Sequence, residues 1–414
     1  MPTNLLRASS GDDTLIIGLA LAGLIFAAAC KATEYLMFGA ILFDVGPWAF
    51  LGIPCAIWIF QRDRRAIIAA LLVGFLTAGA LQIALRLPDL PIITGIGAGA
   101  FFVLVFKLTF NGQERRQTGF VLCAGLLAPI AQLICPLFQR LTTAYPETFD
   151  GRALLVDRSI GIPAGFYEGA RALLLSMPIR VVIFSSYSSI TLALGLLIMC
   201  KIRRGDRGWF VATVAFILAG VFGSALYHLF PAAGPLYAFM MQPDLQPDVA
   251  PVPVPVEFIR NGMPSLHTTW ALLIFLNSRD MGHVARGCCS VFLVLTLCST
   301  LILGEHYVID LIVAAPFALA IQAASQMLVG APDRAERTER VSRRAVAFAF
   351  AFGAIMTGAW LLLLVRHVEA LLDAPHVAAS LAVVSILGFA VGSGLLVPTW
   401  RYRARGSDIA LATS

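Results

Sequence analysis

The chain has 414 residues, 59% hydrophobic and 13% charged, with a formal net charge of +6. Soluble domains carry about 25% charged residues, and the mean hydropathy of +0.84 excludes a globular enzyme held by a single anchor. A basic balance can signal a nucleic-acid partner, but here the placement of the charges points to membrane topology and no nucleic acid.

The apolar runs set the fold class. A helix crossing a bilayer needs roughly 20 mainly apolar residues. Runs of this kind fall at about 14–30, 46–60, 66–85, 92–110 and 119–139. They are too long for barrel strands and lack barrel alternation. No basic region with a cleavage site precedes the first run, so it reads as a retained span. Residues 31–45 are mixed and suit the interface. The segment 140–179 is too polar to cross and predicts a helix lying on the membrane surface. Spans at 180–200 and 209–228 follow. The next loop carries Pro243, Pro247, Pro251, Pro253 and Pro255. Prolines so spaced favour an extended polyproline conformation, here a stiff covering strap. Spans at 264–279, 286–304 and 306–328 come next, then a basic turn at 331–344 and spans at 345–365 and 376–398. The expected fold is an all-α polytopic membrane protein of about 12 transmembrane helices. Three regions are expected: five spans in 1–139, a central unit in 140–328, and two spans with a tail in 329–414. No internal repeat is evident.

Basic residues cluster at 62–65, 115–116, 201–207, 279–286, 334–344 and 401–405. In this span order all of these turns fall on one side, which the positive-inside rule makes cytoplasmic. The Pro-rich loop then lies outside. The expected location is a bacterial inner membrane, with that face toward the periplasm or cell exterior. The eight cysteines have no metal-ligand spacing and read as small packing residues.

The chemistry-bearing stretch runs from Asn261 to Asp310. It begins Asn261-Gly262-Met263-Pro264-Ser265-Leu266-His267 and ends Gly304-Glu305-His306-Tyr307-Val308-Ile309-Asp310. Two crossings fit between the histidines, so both return to the same face. Pro264 and Ser265 form a helix-start signal, and free N–H groups at such a start can hold an anion. His306 and Asp310 are four apart and share a face if helical. The carboxylate can then hold one imidazole nitrogen and leave the other free. These parts suit phosphoryl chemistry, against the plainer reading of a structural polar cluster.

Pro-Ser-x-His followed by His-x-x-x-Asp resembles the type-2 phosphatidate phosphatase superfamily. Met263-Pro264-Ser265-Leu266-His267-Thr268 and the stretch Ser299-Thr300 to His306-Tyr307 and Asp310 are most similar to its inositol phosphorylceramide synthase (aureobasidin-resistance) branch. The strong motifs cover 261–310, with a weaker likeness over roughly 145–328. The resemblance implies a six-helix core with His306 as nucleophile, Asp310 as its support and His267 as the acid for the leaving group. Two departures stand out. Thr300 occupies a position where the phosphatases usually carry Arg, and Tyr227-His228-Leu229-Phe230-Pro231 replaces their Lys-to-Arg-Pro signature, as in the synthase branch.

The implied activity moves a phospho-headgroup, phosphoinositol in that branch, from a phospholipid donor to a lipid hydroxyl such as that of ceramide. A lipid phosphatase using water is the alternative, and a twelve-span transporter is a third class. No metal or other cofactor is required, because fixed N–H groups and Arg can stabilise the transferring group. Candidate phosphate contacts are Ser265, which equally suits a helix cap, His228, Arg158, Arg171 and Arg260. The Arg fork matches phosphate, and Arg260 is nearest the motif. Glu305 points elsewhere on a helix and receives no role. The partners expected are the donor and acceptor lipids and the membrane; the sequence carries no sign of oligomeric state.

Overall fold

A computed structural model describes residues 51–61, 64–85, 92–110, 118–126, 145–206, 208–242, 244–255, 258–329 and 342–396. The expected first span at 14–30, most of the turn 331–344 and the tail after 396 lie outside these residues.

The N-terminal region supplies α1 (Gly52–Ala56), α2 (Arg64–Leu85), α3 (Ile92–Phe110) and a helix α4 over 118–126. The expected span at 46–60 appears as the shorter apolar helix Gly52–Gln61. The segment 145–179 contains α5 (Asp150–Ser159) and α6 (Phe166–Ala172), two short helices where one surface helix is expected. Next come α7 (Met177–Ser188), α8 (Ile190–Arg203) and α9 (Gly208–Tyr227). The span expected at 180–200 is therefore two helices, broken at Ser189. The helices after the Pro-rich loop are α10 (Leu266–Ser278), α11 (His283–Ile302), α12 (Val308–Val329), α13 (Arg343–Arg366), α14 (Val368–Asp373) and α15 (Pro375–Leu395).

Among the described residues, five helices are long and apolar enough to cross a membrane: α9, α11, α12, α13 and α15. The pair Phe166–Leu175 and Met177–Ser188, bent by 111°, makes a sixth if counted as one span. The expected twelve is not reached among these residues. One reason is α10. At 13 residues it extends about 20 Å, short of a bilayer core of about 30 Å, and nearly all of it is buried inside the bundle.

The centre of the bundle is α12. It is buried along most of its length and packs against α9, α10, α13 and α15. Its contact with α13 is close because Gly353 lies there; a Cβ at that position would sit 2.4 Å from the Pro316 carbonyl. Trp270, Leu273 and Ile274 of α10 join Phe216, Phe317 and Ile321 in one core. A polar pair crosses the same core, with Asn277 Nδ2 donating to Gln322 Oε1 at 2.8 Å.

Two polar assemblies mark opposite ends of these helices. At one end Lys201 Nζ meets Asp206 Oδ2 at 2.7 Å and both Asp280 oxygens at 2.7 and 2.8 Å. That joins the turn 204–206 to the turn 279–282, two of the turns expected on one side. At the other end the Pro-rich loop is sewn down. Its strand β2 (Val252–Pro253) pairs antiparallel with β1 (Glu147–Thr148), placing Glu147 opposite Pro253. Arg152 ties the loop to α13 through the carbonyls of Val249, Leu364 and Val365.

Candidate functional site

The two motifs meet at their backbones. The Ser265 N–H donates to the Asp310 carbonyl at 3.2 Å, so the start of α10 rests on the first turn of α12. Ser265 is the N-cap of α10: its Oγ accepts from the Thr268 N–H at 3.3 Å. This satisfies a donor that a helix start leaves open. His267 follows two residues on. Its ring stacks on Tyr187 of α7, with centroids 3.8 Å apart and planes 16° apart, and meets Trp270 edge-on.

His306 comes from the turn between α11 and α12. It is buried, with Nδ1 3.3 Å from Asp310 Oδ2. The expected pair is thus formed, although His306 stands just before the helix instead of within it. Asp310 Oδ2 also accepts the Tyr307 N–H at 2.9 Å. With the proton on Nδ1, the Nε2 lone pair is left free to react. The contact of the Ser265 N–H with the Asp310 carbonyl brings the start of α10, which carries His267, to the turn that carries His306. One imidazole held by a carboxylate and a second on a neighbouring helix can serve as nucleophile and proton carrier.

Glu305 belongs to this cluster, contrary to the helical placement that set it aside. The turn at Gly304, with φ of 73°, turns it inward. Its Oε1 accepts from the Tyr237 hydroxyl at 2.9 Å and its Oε2 from Asn261 Nδ2 at 3.2 Å. Burial pushes its carboxyl up, while the bonds from Tyr237 and Asn261 and the charges of His306 and Arg171 pull it down. Gly234, with φ of 94°, lets a loop press on this turn; a Cβ there would lie 2.4 Å from the Glu305 carbonyl.

The expected phosphate contacts separate into three places. Arg171 lies beside the turn that leads to His306, donating from Nη1 to the Leu303 carbonyl at 3.1 Å. Arg158 is exposed and lines an open groove of about 850 Å³, together with Arg171, Arg180, Glu168, Leu154 and Leu175. His228 and Arg260 stand apart at the Pro-rich loop. His228 Nδ1 lies 3.2 Å from the Tyr145 hydroxyl at an exposed edge. Arg260 is buried and donates to the carbonyls of Tyr145, Val254, Pro255 and Phe258. These four bonds fasten the loop, where the sequence expectation is a phosphate contact. Thr300 is buried and bonds its own helix at the Leu297 carbonyl.

Sequence reasoning missed four contributors: Tyr187, Glu305, Asp150 and Asp157. Asp150 accepts the N–H groups of Ala233 and Gly234 and the Tyr307 hydroxyl. Asp157 accepts the N–H groups of Val308 and Ile309 and the Tyr167 hydroxyl. The one available signal was two acidic residues spaced two helical turns apart in a segment read as lying on the membrane.

No curated protein and no solved structure matches the chain. Residues 154–324, which hold both histidines and Asp310, match the family model described as the PAP2 superfamily, and the chain thus carries a PAP2 superfamily domain over that segment.

Proposed function

We propose that this chain is a membrane phosphotransferase that moves a phospho-headgroup between lipids in two steps. Members of the superfamily are phosphatases or phosphotransferases acting on lipid-like substrates. The observation that carries the reading is the His306 Nδ1 to Asp310 contact of 3.3 Å beside a second histidine. In the first step His306 Nε2 attacks the phosphorus of a phospholipid donor. The N–P bond forms as the P–O bond to the diacylglycerol breaks, and His267 gives its proton to the leaving oxygen. In the second step neutral His267 takes the proton of an acceptor hydroxyl, whose oxygen attacks phosphorus and releases His306. Splitting one displacement into two lowers each barrier.

Arg171, bonded to the Leu303 carbonyl, and Ser265, bonded to the Asp310 carbonyl, are the groups assigned to hold the phosphoryl oxygens, with Arg158 reading the headgroup in the groove. The finer assignment is phosphoinositol transfer to a ceramide-like hydroxyl. Thr300 favours transfer over hydrolysis of a phosphate monoester, because its hydroxyl is bonded to its own helix and brings no cation to a dianion. The test is an assay of purified protein with donor lipid labelled in its headgroup phosphate. Labelled lipid product forming only when an acceptor lipid is added supports transfer. Release of free phosphate without acceptor supports the phosphatase instead.

A further inference from the structure

Helix α5 carries none of the motif residues, yet both its aspartates point at the nucleophile's turn. Asp150 and Asp157 lie two turns apart and so share a face. Asp150 Oδ1 accepts the Tyr307 hydroxyl and the Gly234 N–H, each at 2.8 Å, and its Oδ2 accepts the Ala233 N–H at 2.9 Å. Asp157 Oδ1 accepts the Ile309 N–H at 2.8 Å, and its Oδ2 accepts the Val308 N–H at 2.9 Å. The Tyr167 hydroxyl adds a further bond to that oxygen. The three backbone N–H groups after His306 therefore all reach carboxylates: Tyr307 on Asp310, Ile309 on Asp157, and Val308 on Asp157 and equally, at 2.9 Å, on the Tyr167 hydroxyl. Both aspartates are fully buried. The next residue along, Arg158, is exposed, and together with Leu154, one turn earlier, it lines the groove.

We propose that Asp150 and Asp157 are positioning residues that set where His306 stands, so that α5 works as a bracket with the groove on one face and the nucleophile's segment on the other. This rests on His306 being the nucleophile. In-line attack tolerates little error, and a displacement of about 1 Å can cost about a hundredfold in rate. The acceptor arrangement explains why the residue must be a carboxylate. Asp157 uses both oxygens to receive hydrogens. Asn at this position offers one oxygen and turns an NH2 donor toward a remaining donor, so one bond is lost and a repulsion appears. The turn then shifts while the groove stays intact.

The test is steady-state kinetics with lipid donor and acceptor on the full chain, with a melting temperature for each variant in the same detergent. Asp157→Asn is expected to lower kcat about thirtyfold or more with KM within about twofold. Tyr307→Phe, which removes only the hydroxyl bond to Asp150, should lower kcat about fivefold. Arg158→Gln should raise KM and leave kcat in place. Ser393→Ala is the control: it removes a bond of similar length, from Arg279 Nη2 at 2.9 Å, at the opposite end of the bundle beside the Asp280 turn. It should lower the melting temperature and leave kcat and KM unchanged. The proposal is overturned if Asp157→Asn and Tyr307→Phe keep wild-type kcat, or lose it only in step with the folded fraction. If Asp157→Asn does not fold, Tyr307→Phe decides the matter by the same criterion. Failure of the underlying reading looks different: wild-type protein shows no turnover, or His306→Ala keeps it.

Discussion

His306 and Asp310 form their pair across a turn, and the distinct jobs proposed for the two histidines start from that geometry. Asp310 Oδ2 holds the His306 imidazole and the Tyr307 N–H together, which fixes the ring and its tautomer. His267 has an aromatic partner, Tyr187, instead of a carboxylate at its ring face, and the proton-carrying role is the one proposed for it. Asp310→Asn should therefore preserve the fold and lower kcat by about a hundredfold or more, since an amide cannot stabilise the imidazolium. Near-wild-type turnover in that variant, measured with the lipid assay, would reduce the pair to a structural role. The pairing was legible in the sequence because four-residue spacing survives a partly helical start. Glu305 was not legible, because its direction depends on Gly304 adopting positive φ, which a helical projection cannot anticipate.

At the scale of elements, the Pro-rich loop accounts for the bonds that Arg260 makes. Proline lacks an N–H, so a stretch such as Pro251-Val252-Pro253-Val254-Pro255 cannot complete a ladder of its own. Its carbonyls still need donors. Arg260, with five N–H donors, reaches the carbonyls of Val254 and Pro255 as well as those of Tyr145 and Phe258. Nearness to the motif in sequence suggests phosphate, and the local supply of carbonyls, which a sequence reading does not show, is what these bonds use. Arg260→Gln should loosen the loop by about 2–3 kcal/mol. Limited proteolysis should then cut within 244–255 at least tenfold faster than in wild type, and an unchanged cutting rate would contradict this account. The break at Ser189 and the shortness of α10 were hidden for a different reason. Apolar composition reports what can be buried, and it does not separate burial in lipid from burial inside a bundle.

For the whole molecule, the polar assemblies at the two ends of the bundle give the topology a test. The Lys201–Asp206–Asp280 cluster and the loop pinned by Arg260 lie at opposite ends. The positive-inside rule places the first of these in the cytoplasm. In a background without native cysteines, Gln246→Cys should react with a membrane-impermeant thiol reagent on intact cells, and Arg204→Cys should not. The reverse pattern would move the chemistry to the cytoplasmic face. The membrane class and the site-bearing segment were readable from apolar runs and one pair of motifs. The bracket formed by α5 was not, because its bonds join residues some 150 positions apart, as in Asp157 with Ile309. The central claim is that the headgroup passes through His306. Its most direct measurement is rapid quenching of purified protein with donor labelled in its phosphate and no acceptor present. The account predicts an acid-labile, alkali-stable label that maps to the peptide containing His306, is absent in His306→Ala, and is discharged to lipid product when acceptor is added. Wild-type protein that transfers the headgroup yet never carries label, with inversion at a chiral phosphorus, would mean that the acceptor attacks the donor directly.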